Sequence, residues 1–143
     1  MESIHRAALD GNEAEVNRLV QEDGERLNAQ IQGDVAVRGE TVEGCTPLML
    51  AAFKGHDTVL TRLIELGANV GLPDARGEQA VHWACMGGYG RASTLELLLD
   101  AGASFSAGDN YGWTPLIFAA RSGATDCGKL LLARGGDALD LDA

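Results

Sequence analysis

Cationic side chains are scarce in this chain. Eleven lysines and arginines stand against 21 aspartates and glutamates, for a net charge of −10. That balance excludes a surface built to track a nucleic-acid backbone, which needs clustered Lys and Arg. A protein partner with a neutral or basic surface suits it better. Cysteine is scarce too: Cys45, Cys85 and Cys127 are odd in number and widely spaced. No disulfide framework is expected, and a reducing intracellular setting is, cytoplasmic with the nucleus left open. Long apolar runs are missing as well. The longest uninterrupted one, LMLAAF from Leu48 to Phe53, is far too short to cross a membrane. The opening MESIHRAALDG has neither the basic start nor the apolar stretch of a secretory signal.

What is abundant is glycine, with 19 residues against three prolines, and this points to frequent, regularly placed turns. Apolar residues at 45% and charged residues at 22% allow a real core. The turns fall at a fixed period. TPLMLAAFKG (46–55), QAVHWACMGG (79–88) and TPLIFAARSG (114–123) align without gaps, their starts 33 and 35 residues apart. Each leads into an apolar stretch closed by glycine: VLTRLIELGA, TLELLLDAGA and CGKLLLARGG. A weaker copy, SIHRAALDGNEAEVNRLVQEDG, opens the chain with Ala7-Ala8 where Ala51-Ala52 stand later.

The residue types predict a pair of helices per copy. Paired alanines let neighbouring first helices approach closely. Leucines at i, i+3 and i+4 of the second helix form a stripe that must be buried. Proline is tolerated in the first turn, where its missing N–H would be unpaired anyway. Glycines at 55, 88 and 123 suit a helix end that needs positive φ. One such pair cannot bury its own apolar face, so neighbours must stack into a continuous core.

These segments, with the LGAN, AGAS and RGGD turns, resemble ankyrin repeats, a family with a 33-residue period and a T-P-L-H-x-A signature. The resemblance covers essentially the whole chain in four copies, near 1–33, 41–73, 74–108 and 109–143, and the third departs most, with Gln79-Ala80 for Thr-Pro. It implies an all-α solenoid of four helix-turn-helix repeats with β-hairpin fingers, acting as a non-catalytic protein-interaction module. A different reading is a regulatory or inhibitory subunit or fragment of a larger protein or enzyme, resembling the small four-repeat kinase inhibitors.

Two insertions break the period. The alanine pair moves 44 positions between the first and second copies, so about eleven residues are added to the period the family keeps. They fall in LNAQIQGDVAVRGETVEG, read as a lengthened finger over 27–43. A three-residue loop at Gln32-Gly33-Asp34 would pair Ile31 with Val35 and Ala29 with Val37, leaving Leu27, Ala29, Ile31, Val35 and Val37 on one apolar face. That face either packs on the next finger or meets a partner. The second insertion, two residues within Tyr89 to Ser93, makes GGYGRAS. A helix precedes this string and no Lys-Ser/Thr pair follows, so it reads as a helix–helix turn and not a phosphate loop.

The ends differ. The first copy carries Arg6, Asp10, Glu13, Glu15, Asn17, Arg18 and Gln21, polar enough for a cap, whereas the last keeps the stripe Leu130-Leu131-Leu132. Gly128 weakens that last helix by about 1 kcal/mol relative to alanine. Three outcomes are open for it: fraying, self-association of an otherwise monomeric array, or continuation in a longer protein.

No catalytic, metal or cofactor site is expected. His82 and Cys85 lie three apart, but the pair lacks an orienting third group, and four zinc ligands are not spaced for a site. The resemblance places His82 and His5 where the ring ties neighbouring turns together, and Cys85 where a small buried residue fits. It also implies binding along the fingertips and the concave face of the first helices. By position these are Val42, Glu43, Cys45, Phe53 and Lys54; Ala75, Arg76, Glu78 and Met86; and Asn110, Tyr111, Trp113, Arg121 and Ser122. Trp, Tyr and Arg dominate interface energetics, so a strip of Phe53, Met86, Tyr111 and Trp113 is the favoured surface. Tyr111 and Trp113 could equally shield the adjacent finger. Trp83 and Phe118 stand at the buried-leucine position and read as core.

Overall fold

A computed structural model describes residues 3–31, 35–37, 40–86 and 91–135, with backbone alone for 3, 35–37 and 40–42. Residues 1–2, 32–34, 38–39, 87–90 and 136–143 lie outside the described residues, and with them the expected three-residue loop at 32–34 and most of the expected helix–helix turn GGYGRAS.

The helices form in pairs: α1 (Ser3–Asp10) with α2 (Glu13–Glu22), α3 (Pro47–Lys54) with α4 (Asp57–Glu65), α5 (Ala80–Ala84) with α6 (Ala92–Asp100), and α7 (Pro115–Ser122) with α8 (Thr125–Gly135). Local chemistry sets their ends. Thr46 caps α3 by accepting the Met49 N–H at 3.3 Å, Pro47 fills the first turn, and Gly55 closes the helix at φ 70°. Asn12 caps α2 by accepting the Glu15 N–H at 3.1 Å. First helices stack in one row, α1 on α3 on α5 on α7, and second helices in another, α2 on α4 on α6 on α8. This two-layer stack is the helical solenoid that the period predicts.

The core runs along the interface between layers. Ala7-Ala8, Ala51-Ala52 and Ala84-Cys85 are all buried, as are Leu48, Leu50, Leu60, Leu63, Leu95 and Leu98. Each buried leucine is worth about 1.5–3 kcal/mol relative to exposure. In the last pair Ala119 is buried but Ala120 is exposed and Leu132 is 46% exposed, because among the described residues α7 and α8 each have a first- or second-row neighbour on one side only.

Histidines tie each turn to the next. His82 Nδ1 accepts the Gln79 N–H at 2.9 Å, and its Nε2–H donates to the carbonyls of Ala107 (2.8 Å) and Trp113 (3.1 Å). Burial holds His82 below the ordinary histidine range, which keeps the neutral ring in this donor–acceptor arrangement. His5 Nε2–H donates to Ala29 (2.8 Å) and Cys45 (3.0 Å), and His56 to Leu9 (2.9 Å). Cys85 is fully buried, and its hydrogen bond with Cys127 together with burial pushes the thiol well up.

The long insertion is paired differently from the apolar alternation. Strands β1 (Val35–Val37) and β2 (Glu40–Val42) are antiparallel, with Val35 opposite Val42 and Val37 opposite Glu40. In this register Val35 and Val37 pair with β2, and Ile31 and Ala29 are not their partners. The reason is the core: Leu27 and Ile31 are buried, Leu27 within a 3-10 helix (Gly24–Asn28). Ile31 exchanges backbone bonds with Cys45 (3.0 Å) and Gly44 (3.2 Å), closing the finger base and leaving β1 and β2 as a separate strand pair.

Candidate functional site

Two fingertips are built alike. Asp74 Oδ1 accepts the N–H groups of Arg76 (2.9 Å) and Glu78 (3.0 Å), and Asp109 Oδ1 those of Tyr111 and Trp113 (both 2.9 Å). An aspartate that bonds its own following backbone is a turn-former by chemistry. Each tip ends at a glycine with positive φ, Gly77 (78°) and Gly112 (80°). The fingers are then laced together. Ala75 N–H donates to Glu43 O at 3.0 Å, Asn110 N–H to Arg76 O at 2.9 Å, and Asn110 Nδ2 to Ala75 O at 3.0 Å. Asp74 also accepts the buried Trp83 Nε1–H at 3.1 Å, locking finger to helix.

Between these tips and the first-row helices lies a cleft of about 350 Å³. Arg76 and Glu78 line it from one finger and Trp113 from the next, while Met86, Phe118 and Arg121 line it from the helix side. The Arg121 guanidinium carbon sits 4.3 Å from the centre of the Trp113 ring. Phe118 meets Trp113 edge-on at 5.9 Å and His82 at 5.3 Å, and Tyr111 lies 6.1 Å from Trp113. The histidine tie thus fixes the backbone of the tryptophan that carries the arginine. Burial, and then the Asp74 charge, push the Glu78 carboxyl up to about 7, against the pull of Arg76.

Of the sequence-predicted residues, Arg76, Glu78, Met86, Trp113 and Arg121 come together in this cleft. Asn110 and Tyr111 sit at the tip beside it, Tyr111 79% exposed. Glu43 is exposed on the finger before, and Val42 lies in β2 with its side chain outside the described residues. The continuous apolar strip is not formed. Phe53 is 5% exposed, because Trp83 at the leucine position packs edge-on against it at 5.8 Å, and the half-buried Lys54 lies with its ammonium 5.8 Å from the Phe53 ring centre. Met86, expected in the same strip, is 6% exposed and contributes floor, not surface. Glu78 is buried at 5%, drawn under the tip by Asp74. Cys45 is fully buried at the finger base, where burial pushes its thiol up to about 12. Phe118, read as core, is half-buried and lines the cleft, since among the described residues α7 has a first-row neighbour on one side only. Its aromatic character at a leucine position was the available signal.

A family profile for ankyrin repeats matches residues 48–142 in three copies. The tyrosine-protein kinase HTK16 of Hydra vulgaris is 30% identical over 132 residues, 91% of this chain and 16% of that protein. Neurogenic locus notch homolog protein 2 of Homo sapiens is 36% identical over 126 residues, 77% of this chain and 5% of that one. The human transient receptor potential cation channel subfamily A member 1 is 39% identical over 99 residues, 68% of this chain and 8% of that one. The chain thus spans a small part of each relative's length.

Proposed function

The chain belongs to the ankyrin-repeat family, and from that membership we propose that it is a non-catalytic module that binds a protein partner across its second and third fingertips and the cleft behind them. The observation that carries this reading is the cleft itself, where Arg76, Met86, Trp113 and Arg121 converge beside the exposed Tyr111. Arg, Trp and Tyr are the side chains that most often anchor interfaces. The mechanism is preorganisation: tips laced by backbone bonds present these groups with little ordering cost. No cofactor or metal takes part, and the array acts as a monomer. The test is affinity capture of a partner from a source lysate, then titration against the double variant Tyr111→Ala, Trp113→Ala. Binding should weaken by about 2 kcal/mol or more; unchanged affinity removes the aromatics from the surface.

A second reading, a regulatory segment of a larger enzyme, is favoured by one observation. The relative named as a tyrosine-protein kinase matches 91% of this chain while the match occupies 16% of that protein. Inhibition of a co-purifying kinase by added chain would support it, and a captured partner with no enzymatic activity would not.

A further inference from the structure

Five arginines of this acidic chain stand beside a carboxylate, whereas the exposed Arg6, Arg91 and Arg121 make no ion pair among the described residues. Arg18, Arg26, Arg62 and Arg134 each hold a carboxylate, and Arg76 stands beside Glu78. Arg121 also lies on the face of Trp113 at 4.3 Å. Stacking occupies the face of a guanidinium and leaves its in-plane N–H donors free for a bidentate acceptor, for which a carboxylate is the matching shape. Its support is rigid, since the Trp113 N–H donates to Asp109 at 2.9 Å and its carbonyl accepts from His82 at 3.1 Å. Beside this donor lies an apolar floor of Met86 and Phe118. A volume of about 350 Å³ is at the small end of ligand pockets, enough for side chains of a segment passing over it. The opposite end carries Arg76 with Glu78, and the Asp74 and Asp109 carboxylates behind the tips are taken up by backbone N–H groups, so Arg121 is the lining cation with no carboxylate paired to it among the described residues.

We propose that this cleft takes an extended peptide segment of a partner protein in which a carboxylate side chain stands next to a bulky apolar one. The carboxylate bonds Arg121 and the apolar group rests on Met86 and Phe118. This rests on the protein-binding reading above and gives it a partner chemistry, one opposite to what the net charge suggests.

The test selects random linear peptides by phage display on the full chain. Enriched sequences are expected to carry Asp or Glu beside Leu, Ile, Met or Phe. A resynthesised binder should lose about tenfold or more in affinity on Arg121→Ala, as charge-assisted hydrogen bonds of this kind do. Arg121→Lys should restore only part of it, because an ammonium does not offer the planar fork. Replacing the peptide's acid by its amide should cost as much in the wild type and nothing further in Arg121→Ala, the signature of a direct pair. Arg121 is exposed, so circular dichroism and thermal unfolding of its variants should match the wild type. Binders without an acid, or acid and arginine losses that simply add, overturn the proposal. If such binders are still lost on Trp113→Ala, the protein-binding reading stands without it. If selected peptides ignore both Trp113→Ala and Arg121→Ala, both readings fall.

Discussion

Gly77 shows how one atom holds two repeats together. Its φ is 78°, and a Cβ there would also lie 2.8 Å from the Asn110 backbone nitrogen that donates to Arg76. Gly102 has φ 96° with open space around it. Gly102→Ala should therefore cost only the backbone strain, about 1 kcal/mol. Gly77→Ala should cost about 1–3 kcal/mol more, since it also opens the lacing between fingers and leaves polar groups unpaired. Urea unfolding of the two variants checks this; equal losses would mean that the lacing contributes nothing. Glu78 offers a second test. Its folded carboxyl sits near 7 against an ordinary 4.5, so the folded state holds the proton more tightly. The stability it contributes is complete below the ordinary value and is lost as pH rises through about 7. Glu78→Gln stays neutral throughout. Against it, the wild type should lose about 1–3 kcal/mol between about pH 4 and pH 8 in urea titrations. A difference that is flat with pH would contradict the buried charge.

Among the elements, the added hairpin and the final helix answer differently to local sequence. Alternation of Ala29, Ile31, Val35 and Val37 suggested one strand pair, yet the chain spends Leu27 and Ile31 on the core and starts the hairpin only at Val35. Burial of two large side chains outweighs the period-two pattern. The helix α8 obeys its sequence more closely: it forms over Thr125–Gly135, with Leu131 buried and Gly128 inside it. A Cβ at Gly128 would meet only Leu116 Cδ1, at 4.0 Å, an ordinary contact. Gly128→Ala is thus expected to stabilise the protein by up to about 1 kcal/mol in denaturant unfolding. A loss of stability would mean that the helix is packed more tightly there than its surroundings show.

At the scale of the molecule, stacking makes each repeat's surface depend on its neighbours. The interior pair α3 and α4 buries nearly all its apolar residues, whereas α7 leaves Ile117 and Phe118 only half-buried. The half-buried Phe118 lines the cleft beside Trp113. The loss of partner affinity in Tyr111→Ala, Trp113→Ala and the coupling of Arg121 to a peptide acid both belong here, because the site exists only where two repeats meet. No helix among the described residues is long and apolar enough to cross a membrane.

The solenoid was legible in the sequence because its determinants are local. Thr46, Pro47 and Gly55 set helix ends within one turn, and the His5 and His82 positions mark ties whose acceptors lie at fixed places in the following finger. The candidate site was legible in part: position along the repeat brought Arg76, Met86, Trp113 and Arg121 to one cleft. Exposure was not legible. Phe53 is covered because Trp83, a larger side chain than the usual leucine, reaches it from the next helix; Glu78 and Cys45 are buried although their finger positions suggested exposure. Those outcomes, and the stacking of Arg121 on Trp113, depend on volumes left between elements distant along the chain. Periodicity fixes which face a residue joins; only the packed neighbours decide whether water still reaches it.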